Sequence, residues 1–302
     1  MNKLGEIWKL CQIAEPDIVT VTTVGRAHMG LLGSQASVAQ AKEEIYVAAP
    51  KAIHVFNIDN EWTMRMQSRS HAPQITFSSF RPQADVHFRA QRLNWDGLDL
   101  IGHIKGVKGQ TWVHVLGRQN TINLMCASAL ACAAGIEPDK IWTALGTIQD
   151  SAWGRNQLLE LKTDARVLFD AYNANPDSMQ ALLKNLYEMD VEGRKFLVVA
   201  DMGELGSFSQ QAHEEAGERA AAVGFESIWY IGEYAEAFKK GHLRVGAPKN
   251  FVASLKFDLE MSKNFVGQAG RGDLIAVKGS RSAHLEQVVE SWPLQKPLGP
   301  KP

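Results

Sequence analysis

The sequence predicts an α/β protein of two domains, each with a mainly parallel β-sheet. Three observations predict this class: short β-branched runs alternate with helical patterns, most of those runs end in polar residues, and the alternation restarts after residues 153–158. Strands separated by helices are typical of βαβ units and of a parallel sheet. A chain of 302 residues is long enough for two domains. We therefore predict domains at 1–154 and 155–292, followed by a loose proline-rich tail at 293–302.

The first domain is predicted to begin with a helix, "KLGEIWKLCQIA", whose apolar residues recur at helical spacing and which Pro16 ends. The β-branched segment "DIVTVTTVG" follows it as a strand. Ser34 is expected to cap the next helix, "SQASVAQAKEEIYVAA", which precedes the strand "AIHVFNIDN". The alternating, turn-broken residues 75–115 are typical of antiparallel strands. Two helices complete the domain: "NTINLMCASALACAAG", which Gly135 closes, and "EPDKIWTALGTI", with proline in its first turn.

The second domain returns to the alternation of strands and helices. Its predicted strands are "ARVLFDAY", "KFLVVADM", "SIWYIGE" and "GDLIAVKGSR", and its predicted helices are "NPDSMQALLKNLYEM", "SQQAHEEAGERAAAVG" and "SAHLEQVVESW". In open α/β sheets, ligands bind outside the carboxyl ends of the strands. The polar residues that follow the predicted strands are therefore candidate site residues: Thr22, Thr23, His28, Asn57, Asp59, Asn60, Asp170, Asn173, Asn175, Asp201, Glu204, Lys278, Ser280 and Arg281.

The composition argues against several classes of protein. A net charge of -1 gives no basic bias of the kind that nucleic-acid binders show. The three cysteines form no CxxC pair and predict reduced thiols. The most apolar segment, residues 124–136, is too short to cross a bilayer, and residues 1–17 lack the apolar core of a signal peptide. We expect a cytoplasmic monomer that binds neither nucleic acid nor membrane.

Five motifs, in this order, resemble the Mur ligase family. The segments "TTVGRAHMGLLGSQASVAQAKEEI" and "GRQNTINLMCASALACAAGI" resemble the central, ATP-binding domain of that family. The segments "DAYNANPDSM", "ADMGELG" (with His213 downstream) and "GDLIAVKGSR" resemble its C-terminal domain. The resemblance runs from about Asn2 to Val289. It implies a partial central ATP-binding domain followed by a Rossmann-like C-terminal domain with a mainly parallel sheet.

The resemblance also implies an activity. Mur ligases use ATP and Mg²⁺ to convert a carboxylate to an acyl phosphate, which an incoming amine then attacks. The motifs are most similar to those of members whose substrates are UDP-MurNAc-tripeptide and D-Ala-D-Ala, in the synthesis of peptidoglycan precursors. Phosphoryl transfer of this kind depends mainly on positioning and on charge neutralisation by the metal ion.

Two residues of the central domain match metal-site motifs of the family. His28 matches a Gly-x-Ala-His motif whose histidine binds a second metal ion; the alternative is a loop histidine bonded to backbone. Lys42 matches a lysine that CO₂ carbamylates in the family, which would supply the oxygen ligands that Mg²⁺ prefers. A surface lysine whose stem covers apolar neighbours is the alternative.

Three further residues match nucleotide-binding positions. Asn120 and Asn123 resemble asparagines that bind the adenine edge, since a carboxamide offers a donor and an acceptor together; Asn120 could equally cap the following helix. Gln119 departs from the family here, which usually has histidine. Arg155 matches a hinge arginine that contacts ATP phosphate, a role suited to its planar fork, although such an arginine is usually only solvated.

The C-terminal domain supplies the remaining candidates. The resemblance implies that Asp170 binds ribose hydroxyls and that Tyr172, Asn173 and Asn175 lie near nucleotide and amine substrate; Asn175 could also cap a helix with Pro176 in its first turn. Three more candidates are expected at the rim of the strand ends: Lys278, Ser280 and Arg281. The two cations could bind the anionic intermediate or the substrate carboxylate, or form surface ion pairs.

One departure from the family bears on activity. No Gly-Lys-Ser or Gly-Lys-Thr occurs in these 302 residues, so the phosphate-binding loop has no counterpart here. The family's acidic metal ligand and its UDP-binding N-terminal domain also have none. Two hypotheses follow: the chain is part of a complete ligase and inactive alone, or it is a non-catalytic relative that binds nucleotide or muropeptide.

Overall fold

The computed structural model describes residues 1, 3–27, 29–148 and 152–299, so His28 lies outside the described residues. The chain divides into two compact units, Met1–Gln149 and Asp150–Pro302. The division falls a few residues before the predicted boundary at 154. No helix in the described parts of the chain is both long and apolar enough to cross a membrane.

Unit 1 is a six-stranded sheet with helices on both faces. In chain order its elements are α1 (Glu6–Ala14), β1 (Ile18–Val21), α2 (Met29–Leu32), α3 (Gln35–Ala48), β2 (Ile53–Asn57), α4 (Glu61–Arg69), β3 (Gln74–Ser78), β4 (Val86–Asn94), β5 (Gly97–Ile104), β6 (Val107–Val113), α5 (Asn120–Ala133) and α6 (Pro138–Leu145). The strand order is β1-β2-β3-β4-β5-β6, and β1 lies at the edge. Strands β1 to β4 pair in parallel, whereas β4, β5 and β6 pair antiparallel. The prediction of antiparallel strands in residues 75–115 is therefore confirmed for β4 to β6 and wrong for β3, which pairs in parallel with both of its neighbours.

The core of unit 1 follows from the alternation of side chains along each strand. On β2, Val55 packs with α5 and α6 on one face, while Phe56 packs with α3 on the other. Ser34 precedes the first residue of helix α3, and its hydroxyl accepts a hydrogen bond from the Ser37 amide at 3.1 Å. This is the predicted cap.

Unit 2 is a second six-stranded sheet. Its elements are β7 (Gln157–Glu160), β8 (Arg166–Asp170), α7 (Pro176–Glu188), β9 (Lys195–Ala200), α8 (Ser209–Val223), β10 (Ser227–Ile231), α9 (Ala235–Leu243), β11 (Phe251–Ser254), α10 (Leu259–Val266), β12 (Leu274–Lys278) and α11 (Glu286–Glu290). The order is β11-β10-β9-β12-β8-β7, and every pair is parallel except β7 with β8. The two mainly parallel sheets confirm the predicted α/β class.

The sheet order of unit 2 places strand β12 at its centre. Because β12 enters between β8 and β9, Lys278 pairs in register with Asp170 on one side and with Val199 on the other. The last strand of the chain, β12, therefore ends between two strands that lie much earlier in the sequence. Such a switch in strand order is where open α/β sheets form their ligand crevices.

The expectation of a loose tail is wrong for residues 293–299. Leu294 forms a β-bridge with Leu161, and the Gln295 amide donates to the Glu160 carbonyl at 2.8 Å. Leu298 is buried in the core of unit 2. Proline content predicted looseness, but the leucines between the prolines cover apolar surface that would otherwise face water.

Candidate functional site

In unit 1, side chains hold the turn that follows β1. Three successive backbone carbonyls, those of residues 22 to 24, accept hydrogen bonds from side-chain nitrogens. Asn57 Nδ2 donates to the Thr22 carbonyl at 2.8 Å, and Asn60 Nδ2 donates to the Val24 carbonyl at 3.1 Å. The backbone here has left the sheet, so these bonds replace the ladder partners that it has lost.

Lys42 completes this arrangement. Its Nζ donates to the Thr23 carbonyl at 2.7 Å, and the residue is half-buried. Tyr46 lies one helical turn further along α3, on the same face. Its hydroxyl accepts from the Val21 amide at 2.8 Å and donates to the Val55 carbonyl at 2.9 Å. The buried tyrosine thus fixes α3 against β1 and β2, which brings Lys42 to the carboxyl end of β1.

The described residues do not by themselves fit a metal ion. Among them, no group of three or more His, Cys, Asp or Glu side chains is placed to hold one. Asp59, the acid at the end of β2, accepts hydrogen bonds from Ser78 Oγ and from the Ser79 amide and hydroxyl. Because His28 lies outside the described residues, the predicted pairing of His28 with Lys42 around Mg²⁺ stays a prediction.

Asn120 and Asn123 bind to each other at the start of α5. Asn123 Nδ2 donates to Asn120 Oδ1 at 2.9 Å, and Asn120 Nδ2 donates to the Leu116 carbonyl at 2.7 Å. The alternative in which Asn120 caps the helix is wrong: Gln119 is the cap residue, and Asn120 is already the first helical residue. Among the described residues, none donates a hydrogen bond to Asn123 Oδ1.

Contacts in and just before α5 place this asparagine pair at the same end of the sheet as Lys42, the end where the parallel strands have their carboxyl termini. Arg118 donates to the Ala90 carbonyl of β4 at 2.9 Å, while Met125 Sδ accepts from the Phe88 amide. The chain of α5 therefore runs opposite to β4, and hence opposite to the parallel strands. Its first residues lie at their carboxyl ends.

In unit 2, Lys278 is a buried residue rather than a rim residue. Only 1% of its side chain is exposed, and Nζ lies 2.9 Å from Asp170 Oδ2. The ammonium also donates to the Asn173 carbonyl at 2.7 Å. Asp170 Oδ1 accepts from the Asn156 amide at 3.3 Å. Its central position in the sheet buries this lysine, and its charge is balanced by Asp170. A substrate contact by Lys278 stays a prediction.

Arg155 and Tyr172 form an exposed pair. The guanidinium carbon lies 4.3 Å from the centroid of the tyrosine ring, and the Tyr172 amide donates to the Gly154 carbonyl at 2.9 Å. A guanidinium over an aromatic face is attracted by the ring quadrupole. The pair therefore presents an oriented cation to solvent, and its contact with ATP phosphate stays a prediction.

Asn175 caps helix α7. Its Oδ1 accepts from the Ser178 amide at 2.9 Å, while the Asn175 amide donates to Ser178 Oγ at 3.1 Å, and Pro176 is the first helical residue. The capping alternative is thus confirmed. A substrate contact by Asn175 stays a prediction.

Ser280 and Arg281 are adjacent in sequence but differ in burial and in the residues that they contact. Ser280 is buried, with its hydroxyl 2.9 Å from that of Ser282. The Arg281 guanidinium carbon lies 4.8 Å from the centroid of the Trp153 ring, and Nη1 lies 3.9 Å from Glu286 Oε2, on a carboxylate that is 1% exposed. Arg281 therefore braces the start of unit 2 against α11.

Unit 2 contains a cavity of about 540 Å³ at the carboxyl ends of β9, β10, β11 and β12. Two of its charged lining residues, the acid Glu233 and the ammonium of Lys256, lie on exposed turns. The other lining residues are Asp201, Ile231, Gly232, Leu255, Phe257, Ser280, Ser282, Ala283, His284 and Gln287. Sequence reasoning found Asp201 and Ser280 but missed most of the others. Many of these follow β10, β11 or β12, and β11 had not been predicted.

Two mainly parallel sheets with polar side chains gathered at the strand ends define an open α/β protein, a class whose ligands bind outside the carboxyl ends of the strands. Comparison with known families gives a narrower answer. Residues 1–131 match the family described as Mur ligase middle domain, and residues 154–281 match the one described as Mur ligase, glutamate ligase domain. The chain belongs to the Mur ligase family.

Curated relatives agree with this assignment. The UDP-N-acetylmuramoyl-tripeptide–D-alanyl-D-alanine ligase of Bacillus subtilis is 27% identical over 298 residues, which are 99% of this chain and 64% of that protein. The ligase of the same name from Escherichia coli is 30% identical over 292 residues, 96% of this chain and 63% of that protein. The chain therefore spans less than two thirds of the length of these relatives.

Solved structures share the fold. MurF from Acinetobacter baumannii is 26% identical, with a TM-score of 0.83 over 96% of this chain and 62% of that one. MurF from Thermotoga maritima in complex with ADP also has a TM-score of 0.83, at 23% identity, over 96% of this chain and 64% of that one.

The buried ion pair of unit 2 makes a testable contribution to stability. Replacement of Lys278 by alanine leaves Asp170 without its cation, and the loss of one partner of a buried pair costs about 3–5 kcal/mol. We expect a decrease of this size in the free energy of unfolding, measured by urea titration. The matched change Lys184→Ala, at a side chain that is 67% exposed, should stay within about 0.5 kcal/mol. Equal effects of the two substitutions would contradict the structural role of Lys278.

Proposed function

We propose that the chain is the nucleotide- and amine-binding part of an ATP-dependent ligase that joins D-Ala-D-Ala to UDP-MurNAc-tripeptide. The relatives that match nearly the whole chain carry that name. The observation that carries the proposal is the cavity of unit 2, which has charges of both signs on its wall. It is the candidate site for the amine substrate.

The chemistry of the cavity suits a small zwitterionic dipeptide. A pocket of about 540 Å³ has ample room for D-Ala-D-Ala. Lys256 can bind the dipeptide carboxylate, and Glu233 can bind its ammonium. Phe257 supplies apolar surface for the two methyl groups. Charge-assisted hydrogen bonds of this kind are the strong ones.

In the proposed reaction, ATP is a substrate. The tripeptide carboxylate attacks the γ-phosphorus, ADP leaves, and an acyl phosphate forms. The dipeptide ammonium gives one proton to water, the resulting amine attacks the acyl carbon, inorganic phosphate leaves, and the nitrogen loses a second proton as the amide forms. We assign the adenine edge to Asn120 and Asn123, the phosphates to Arg155 and the ribose to Asp170.

Other assignments remain part of this proposal. Tyr172, Asn173, Ser280 and Arg281 are proposed to support substrate binding from the strand ends of unit 2. We propose that Mg²⁺ takes part through His28 and a carbamylated Lys42, but the described residues do not assemble a metal site, so no step here passes through the ion. We also propose a cytoplasmic location, where ATP is available.

Binding of D-Ala-D-Ala tests the cavity. We expect calorimetric titration of the 302-residue chain to detect binding, and Lys256→Ala and Glu233→Gln each to weaken it about tenfold, because each removes a charge-assisted hydrogen bond. The matched control is Lys249→Ala, a lysine outside the cavity that pairs with Glu226 and is 64% exposed. Unchanged affinity in both cavity variants would refute this assignment.

A non-catalytic binding module is the second candidate, because the sequence has no Gly-Lys-Ser or Gly-Lys-Thr to hold the phosphates. We expect the chain alone to release little phosphate with ATP, UDP-MurNAc-tripeptide and D-Ala-D-Ala present together. Phosphate release that requires all three substrates would show that the chain alone catalyses the reaction. Such release would also exclude the binding-module hypothesis.

A further inference from the structure

His213 on α8 is a buried histidine that the proposed reaction does not use. Only 1% of the residue is exposed, and both ring nitrogens are engaged. Nδ1 lies 2.7 Å from the Ser209 carbonyl, while Nε2 accepts from the Met202 amide at 2.9 Å. A carbonyl requires a donor and an amide requires an acceptor, so these partners assign the ring to the neutral tautomer with its proton on Nδ1.

Met202 belongs to the turn that follows β9, and the ring also contacts the turn that follows β10. It stacks on Tyr234, with 4.5 Å between the ring centroids and 5° between the planes. The amides of Tyr234 and Glu233 donate to the Asp201 carboxylate at 3.2 and 2.9 Å, and Tyr230 donates its hydroxyl to the same carboxylate at 2.8 Å. Asp201 therefore receives three hydrogen bonds and acts as a brace between β9 and β10.

The turns after β9 and after β10, which both contact His213, form one wall of the cavity. Asp201, Gly232 and Glu233 all line it. Gly232 has a φ of +140°, and a Cβ there would fall on the Asp201 carboxylate. The turns are thus packed so closely that a movement of either one changes the wall.

We propose that His213 is a positioning residue whose neutral ring holds these two turns together, so that ligand binding in the cavity requires His213 to be uncharged. The choice of D-Ala-D-Ala as the test ligand rests on the proposed function. The link between His213 and the two turns stands on the geometry alone.

Protonation would break the link. A proton on Nε2 would point at the Met202 amide, which is itself a donor, and that hydrogen bond would be lost. The titratable groups that face the ring are Tyr234 and Tyr230 from the β10 side and Asp201 from the end of β9. Burial, together with Asp201, raises the pKa of Tyr230, so that its hydroxyl remains a donor.

The direction of the pH effect follows from burial, which lowers the pKa of His213 below its usual value of about 6.5. The contribution of the neutral ring to stability is complete above the unfolded pKa. It is lost as the pH falls through the lower pKa of the folded state, because the unfolded chain binds the proton more readily.

Two measurements test the proposal: amide NMR of the full chain between pH 8 and 4.5, and titration with D-Ala-D-Ala over the same range. In the wild type, the amides of Met202 and Tyr234 should titrate together with the His213 ring, with a midpoint below about 6.5. Affinity for D-Ala-D-Ala should fall at least tenfold over the same interval. In His213→Gln, whose amide oxygen can accept from Met202 but does not titrate, the two amide profiles should be flat, and the affinity should lose the fall that follows the ring.

His242→Gln is the matched control, since His242 is also buried, on the neighbouring helix α9, and should leave the profile of Met202 unchanged. The proposal is overturned if the Met202 amide does not follow the ring, or if His213→Gln titrates like the wild type. Absence of dipeptide binding at every pH would overturn the proposed function and the ligand dependence. The amide titration would still decide whether His213 links the two turns.

Discussion

The constraint on which both units depend is the loss of hydrogen-bond partners where parallel strands end. A backbone that leaves a sheet must satisfy its polar groups elsewhere. In unit 1, Asn57, Asn60 and Lys42 bind the carbonyls after β1. In unit 2, Lys278 binds the carbonyl of Asn173, and Asp201 binds the amides after β10. Residues that the sequence marks as site candidates at the strand ends are therefore also the residues that shape the loops.

Because these residues also hold the local backbone, the sequence could predict the position of those whose contacts are local. Asn175 follows a predicted strand and precedes proline, a local pattern that predicts a helix cap, and the cap is present. Lys278 could not be placed in this way, because lysine is usually exposed. Its burial depends on β12 lying between β8 and β9, an order set by contacts far apart in sequence.

Other limits of sequence reasoning have equally local causes. Strand β11 is only four residues long and its side chains are largely exposed, so "FVAS" shows no strong β pattern. Residues 255–257, which follow β11 and line the cavity, were missed together with it. Asn120 resembled a cap because asparagine favours that position, but the helix begins one residue earlier than that role requires. Residue patterns alone predict two α/β domains, and the family resemblance adds that both domains belong to one class of enzyme.

The central claim is that the strand ends of unit 2 form the binding site for a dipeptide amine. Hydrogen–deuterium exchange of the 302-residue chain, with and without D-Ala-D-Ala at saturation, tests it most directly. We predict that within unit 2 the dipeptide slows exchange at residues 231–234, 255–257 and 280–287, which enclose the cavity. Slower exchange elsewhere in unit 2 with no change in those three segments would contradict the account.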